Sequence, residues 1–337
     1  MLFSISILLL VRSAFAFKHP HFFNHWTCLG IVDQIDFSQP YVSNIGELPL
    51  VSWKHPKTNE ITTTLNICKH MGSKLGNAKI TEKGCLQCQY HGLEIQDGFG
   101  KTMEHEGKLF WAYQPDEMQP PPTPYFHHRD YKTSFLIIDM EASLVDCALN
   151  MMDVRHPEYV HNKLFGFGSN IPPTNLKKHQ YAATPDSVGL SFHYQSNKMV
   201  QSMINDDVPL TKNFHMYKYP SFTWSKVSFN KNNLIISVHL RPLTPKKTRW
   251  YVTLCHNYYT NEIQQSVMRG LAGMILSQDY EQMKNQYEEN ALKQAVTMDY
   301  TFGDEEVIVD LHKMFQENYR YPSIDECARF YKSTQTT

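Results

Sequence analysis

The sequence predicts an α+β protein in two parts, an N-terminal antiparallel β domain followed by a larger domain that combines an antiparallel sheet with helices. Three observations carry this. Short runs rich in β-branched and aromatic residues, bounded by Asn, Asp, Gly and Pro, fill the first 114 residues and return between positions 188 and 258. Pro115 and the run Pro120-Pro121-Pro122-Thr123-Pro124 cannot continue a ladder and separate the two sets. Four-residue apolar spacing marks 261–294 and 304–332, both downstream of the prolines.

A chain of 337 residues, 42% hydrophobic and 13% aromatic, has core enough for two domains. A net charge of -1 offers no basic footprint for nucleic acid and no polybasic patch for a membrane. Seven cysteines, an odd number with two given to metal below, argue against a disulfide framework and for a reducing compartment. Residues 1–16, MLFSISILLLVRSAFA, hold an apolar run too short to span a bilayer and end in Ala14-Phe15-Ala16, the small-residue pattern of a signal cleavage site. They are expected to be a presequence. The string from Ser13 to Phe17 also resembles the cleavage motif of plastid proteins in algae with secondary plastids, which implies a plastid address. A cytoplasmic location, or an uncleaved anchor at a membrane surface, is the alternative.

In chain order, 26–32, 48–53 and 61–67 read as strands, Gly98 to Gly100 as a turn, and 108–114 as a closing strand. The boundary is expected near residue 125, giving domains 21–125 and 126–337.

Between those strands stands Cys68-Lys69-His70, then seventeen residues, then Cys88-Gln89-Tyr90-His91. Two cysteines and two histidines on two loops can hold a two-iron, two-sulfur cluster asymmetrically, thiolates on one iron and imidazoles on the other. Neutral imidazoles make such a cluster easier to reduce. A structural zinc site is the competing reading. Gly72 and Gly92 favour the cluster, since both loop tips then need glycine's backbone freedom. Cys85 forms a C-x-x-C with Cys88, but only Cys88 stands three before a histidine, so Cys85 is assigned to the loop.

The second domain opens with a strand at 134–140 and reaches Asn150-Met151-Met152-Asp153-Val154-Arg155-His156-Pro157-Glu158-Tyr159-Val160-His161. Asp153 and His156 lie about one helical turn apart. His156 and His161 cannot share the face of an ideal helix, so Pro157 is expected to break the ladder at His156 and let both imidazoles converge. With a carboxylate they would form the facial triad of a mononuclear non-haem iron(II) site. The expected third ligand is Asp279, on a long helix over 261–294 capped by Asn261, where the stripe Ile263, Val267, Leu271, Ile275 leads to it in steps of four. Glu281, Asp299 and Asp304 are the alternatives. Strands are expected at 188–199, 214–219, 222–229, 234–240 and 248–258, and the tail 304–332 reads as helical, with Val307, Leu311 and Phe315 in steps of four. Other histidines, including His127, His128, His193 and His239, are read as packed or surface residues.

C-K-H-M-G and C-Q-Y-H-G-L resemble the cluster loops of Rieske-type oxygenases, with Met71, Gln89 and Leu93 where that family has arginine, proline and tryptophan. N-M-M-D-V-R-H-P-E-Y-V-H is similar to the iron motif of vanillate O-demethylase oxygenase subunits and of pheophorbide a oxygenase and its plastid relatives. The resemblance spans about residues 21 to 320. It implies a Rieske [2Fe-2S] domain and a helix-grip-like catalytic domain with mononuclear Fe(II). It also implies a homotrimer in which Asp153 bridges His91 of one subunit and His156 of the next. The chain has no G-x-G-x-x-G segment after a strand, so electrons must come from a separate ferredoxin or flavin reductase. The expected activity is hydroxylation or oxidative demethylation of an apolar or aromatic small molecule with O2. Within that class, a plastid tetrapyrrole oxygenase of the pheophorbide a type is the alternative, although Cys327 alone replaces the C-terminal C-x-x-C of that group. A different class is a non-catalytic Rieske electron carrier, in which the second domain only docks.

Overall fold

The computed structural model describes residues 22–161, 177–195, 210–229, 231–286 and 306–335. The presequence at 1–16, the end of the strand expected at 188–199, the end of the helix expected at 261–294, and Asp299 and Asp304 lie outside the described residues.

Short alternating runs become short strands in the N-terminal part. They are β1 (Thr27–Ile31), β2 (Tyr41–Ile45), β3 (Leu48–Lys54), β4 (Ile61–Leu65), β5 (Lys79–Ile80), β6 (Leu86–Gln87), β7 (Glu94–Ile95), β8 (Lys101–His105) and β9 (Lys108–Ala112). Three three-stranded sheets result, in the orders β1-β9-β8, β2-β3-β4 and β5-β6-β7, and all pairings are antiparallel. The strand β2 was not expected, since Tyr41-Val42-Ser43-Asn44-Ile45 carries polar residues at two of five positions.

Downstream, β10 (Lys132–Met140) is followed by the helices α1 (Leu144–Met152) and α2 (His156–Val160). A meander follows: β11 (Lys177–Ala183), β12 (Ser187–Gln195), β13 (Leu210–Lys218), β14 (Phe222–Phe229), β15 (Asn232–Thr244) and β16 (Lys247–His256). The seven strands form one antiparallel sheet ordered β10-β16-β15-β14-β13-β12-β11. Consecutive strands β10 and β11 therefore occupy opposite edges, and the chain between them must cross the sheet. Helix α1 lies across it, touching β13, β15 and β16.

Three C-terminal helices complete the fold: α3 (Glu262–Lys284), α4 (Glu306–Asn318) and α5 (Ile324–Thr334). Helix α3 packs on β10, and α4 on α1, β11 and β12. Asn261 caps α3, its side chain accepting from the N–H of Gln264. The tail is two helices rather than one. Pro322 cannot donate to a helical ladder, and Ser323 starts a new helix by accepting from the N–H of Glu326.

The stripe on α3 differs from the expected one. Ile263 is 80% exposed and Val267 52%, while Met268, Asp279 and Met283 are buried and Ala272, Leu276 and Tyr280 pack on the core. Each step of four overshoots a helical turn by about 40°, so four steps from Ile263 to Asp279 rotate roughly 160° around the axis. The inward face at Asp279 is thus reached from Met268, not from Ile263.

One core runs between the sheet and the helices and on into the N-terminal strands. It joins Leu190, Tyr217, Val238 and Trp250 of the sheet to Cys147 and Met152 of α1 and Leu311 of α4, and reaches Leu29, Leu50 and Trp111 of the N-terminal strands. Phe330 of α5 closes it, with ring centroids 4.6 Å from Phe23 and 5.1 Å from Tyr113. Among the described residues, no helix is long and apolar enough to cross a membrane. Replacing Phe330 by Ala opens a cavity in this aromatic group and should cost about 3–5 kcal/mol. A lowered urea midpoint measures it.

Candidate metal centres

The two loops at Cys68 and Cys88 repeat one hydrogen-bond pattern. The N–H of Cys68 donates to the carbonyl of Ser73 (2.8 Å) and that of Gly72 to the carbonyl of Cys68 (2.8 Å). Likewise the N–H of Cys88 donates to Leu93 (2.9 Å) and that of Gly92 to Cys88 (2.9 Å). Each loop turns back on its cysteine through a glycine with φ of 73°, the left-handed region that selects glycine. A Cβ at either glycine would meet nothing within 4 Å, so the backbone angle makes the choice, not crowding.

This geometry faces the cysteines inward and the histidines outward. Cys68 and Cys88 are buried against Val51, Trp53, Leu75 and Leu86. His70 and His91 are exposed, with ring centroids 4.7 Å apart, and their neighbours Met71 and Tyr90 are also exposed. The N–H of Tyr90 donates to the Cys88 sulfur and holds that thiol below its ordinary range against the opposing effect of burial, helped by Cys68, His91 and Ser73. Buried sulfurs that attract backbone N–H groups, beside two exposed imidazoles, suit a cluster with thiolates on one iron and imidazoles on the other. Cys85 is not part of the apolar group packed around Cys68 and Cys88. Its N–H donates to Oγ1 of Thr81 and its carbonyl accepts from the Thr81 N–H.

His156, His161 and Asp279 come together from α2 and α3, their ligand atoms all within 4.8 Å of one another. The helical break lies earlier than expected. Helix α1 ends at Met152, Asp153 is its C-cap, and His156-Pro157 open the short α2 instead of breaking a ladder. Proline suits that position because its missing N–H is unneeded in a first turn. His161, with φ of -105° and ψ of 23°, has left helical geometry, so its ring swings to 5.2 Å from that of His156.

Both imidazoles are oriented from behind. Nδ1 of His156 lies 2.6 Å from the carbonyl of Asp153, and Nδ1 of His161 lies 2.8 Å from Oε1 of Gln278. Both rings are held through Nδ1, so both Nε2 atoms face Asp279, at 3.5 and 3.2 Å from its Oδ1, hydrogen-bonding to it here and offering lone pairs to a metal that displaces those protons. Burial pushes the Asp279 carboxyl up, but hydrogen bonds from His156 and His161 outweigh it and hold the group below its usual range. Burial likewise disfavours charge on His156, and the hydrogen bond and charge of Asp279 reverse that. Two lone pairs and a buried carboxylate make a donor set that fits non-haem iron(II). Among the alternatives, Glu281 is exposed.

Asp153 has two jobs within one chain. Besides its carbonyl contact, its Oδ1 accepts from the N–H groups of Arg155 (2.8 Å) and His156 (3.1 Å), capping the start of α2. Sequence reasoning missed Gln278 and also Asn150, whose Nδ2 reaches Oδ1 of Asp279 at 3.5 Å. Gln278 could have been found by asking which neighbour of Asp279 carries an acceptor.

Residues 25–109 match the family described as the Rieske [2Fe-2S] domain. A chloroplastic pheophorbide a oxygenase from Oryza sativa subsp. japonica is 27% identical over 192 residues, which cover 46% of this chain and only 36% of that protein. Dicamba monooxygenase bound to 3,6-dichlorosalicylic acid is similar in structure, with a TM-score of 0.71 at 16% identity, covering 87% of this chain and 98% of that one. NdmA of Pseudomonas putida CBB5 with caffeine gives a TM-score of 0.67 at 13% identity, covering 86% and 89%. At such identities these structures establish the fold.

Gln278→Leu removes the acceptor behind His161 and frees its tautomer. Ferrous iron should bind about 10–100-fold more weakly. Competition with a chelator under anaerobic conditions measures this.

Proposed function

We propose that this chain, whose residues 25–109 are a Rieske [2Fe-2S] domain and whose fold is that of solved Rieske oxygenases, is an oxygenase component. It would use O2 and externally supplied electrons to hydroxylate or oxidatively demethylate an apolar or aromatic small molecule. The observation that carries this reading is the convergence of half-buried His156 with buried His161 and Asp279, for which a pure electron carrier has no use.

Labour divides between 21–125 and 126–337. Cys68, His70, Cys88 and His91 would hold the cluster, and His156, His161 and Asp279 the mononuclear iron. When bound, these groups supply one-electron transfer and the activation of O2. The chain's own residues do the rest. Asp153 and Gln278 hold both imidazoles through Nδ1. His161 and Asp279 are buried, which keeps bulk water from that side of the site.

Exposed His70 and His91 leave the cluster edge open to a partner, which supports delivery of electrons by a ferredoxin or flavin reductase. It also supports a homotrimer in which His91 of one subunit faces Asp153 of its neighbour. The 3,6-dichlorosalicylic acid and caffeine held by the similar structures are small aromatic molecules, which supports that substrate class. The similarity to a chloroplastic pheophorbide a oxygenase favours a second reading, a tetrapyrrole substrate and a plastid address.

Anaerobic reconstitution should load about three irons per chain, two in the cluster and one in the triad. Asp279→Ala should keep roughly two of them, with the visible spectrum of the cluster intact, and lose substrate-dependent oxygen uptake. Wild-type protein that takes up only the cluster irons would be the electron carrier instead. Supplied with ferredoxin and reductase, the loaded protein is then screened against aromatic ethers and chlorophyll-derived tetrapyrroles.

Asp153→Asn keeps an oxygen for the N–H groups of Arg155 and His156 but removes the charge. Turnover should fall about 100-fold or more with both metals retained, the cost of losing one group that acts only when electrons cross. Unchanged turnover would remove Asp153 from the electron path.

A further inference from the structure

Two buried polar atoms near the triad have no hydrogen-bond partner among the described residues: Nδ1 of His215 and Oδ1 of Asn150. Buried polar atoms are nearly always paired, so an orphan in an otherwise well-bonded site points to a group that arrives from outside. His215 stands on β13, opposite Leu190 of β12 and Ser225 of β14. Its ring packs edge-on against Phe192, centroids 5.1 Å apart. Helix α1 covers this face of the sheet, and the carbonyl of its Met151 hydrogen-bonds the ring.

The protonation state follows from the surroundings. Burial, and then the charge of nearby His156, push His215 down to about 4 against the Met151 carbonyl. The imidazole is therefore neutral near pH 7, its proton lies on the side of Met151, and Nδ1 presents a lone pair. Asn150 gives its N–H to Asp279 and is left with an acceptor as well. A ligand that satisfies acceptors must bring donors. The side chains beside it, Leu190 and Phe192, are apolar, which suits a ligand that is apolar apart from its donor.

We propose that His215 is a substrate-positioning residue, whose Nδ1 accepts a hydrogen bond from a hydroxyl or N–H group on an otherwise apolar substrate beside the His156, His161, Asp279 group. The inference rests on the oxygenase reading and deepens it, since it names the polar feature the substrate carries.

A matched pair of probes tests it: 2-naphthol, which has the donor, and 2-methoxynaphthalene, which lacks it. Binding to the anaerobic, iron-loaded protein is followed by calorimetry. Wild type should bind the naphthol at least about tenfold tighter than the ether. His215→Leu should abolish that preference with iron content unchanged. His215→Asn, whose side-chain oxygen can stand where Nδ1 stood, should keep most of it. Should the Leu variant fail to load iron, His215→Gln takes its place and is expected to lose the preference, because its longer arm carries the oxygen past that position. The proposal is overturned by a preference that survives in the Leu variant, by none in wild type, or by no binding of either probe, in which case an ordered water is all that Nδ1 holds. Oxygen uptake in the same samples separates the two claims. A His215-dependent preference without uptake sinks the oxygenase reading alone, and uptake without the preference sinks the role of His215 alone.

Discussion

A carboxylate buried between two imidazoles is the constraint on which the downstream half of this molecule depends. Asp279 is 5% exposed, and an isolated charge there would cost several kcal/mol. His156 and His161 supply the partners from α2, so the face of α3 that turns inward is fixed at the same point as the end of α2. Gln278, the residue before Asp279, locks the arrangement from the other side by holding His161. The cost of burying Asp279 without a cation thus organises two helices that are distant in sequence.

The sheet explains why those helices are where they are. Strands β10 and β11 lie at opposite edges, and the chain between them must cross the full width of the face. Helix α1 makes that crossing and leaves the Asn150 to His161 segment over the sheet, next to β13 and the half-buried His215. Helix α3 follows the sheet and packs on β10, which brings Asp279 to the same place. The two metal centres are built on opposite principles. In the upstream loops the sulfurs are buried and the imidazoles exposed, as suits electron passage across a surface. In the downstream group His161 and Asp279 are buried, as suits chemistry kept from water.

Much of this was legible beforehand, for reasons particular to each element. The cluster loops read clearly because their determinants are local: cysteine, histidine and glycine within five residues, with backbone bonds that close inside each loop. The strands β14, β15 and β16 read clearly because their aromatic and β-branched runs are long. β2 and β11 did not, because Tyr41–Ile45 interrupts its apolar residues with Ser43 and Asn44, Lys177–Ala183 is largely polar, and both become strands only through their neighbours. Asp279 was reached along a stripe that drifts off its own face, so the right helix was chosen with the wrong inward edge.

By itself the sequence determined the α+β class, the order of the two sets of strands and the identity of the cysteine, histidine and acid residues worth following. Those features depend on local chemistry and spacing, which a linear chain carries explicitly. Only the tertiary structure decided that α2 begins at His156, that Gln278 and Asn150 attend the buried carboxylate, and that His215 stands near the same site with a ring nitrogen unpaired among the described residues. The last two join residues more than fifty positions apart, and a contact between such residues follows from how the sheet is crossed, which no local pattern encodes.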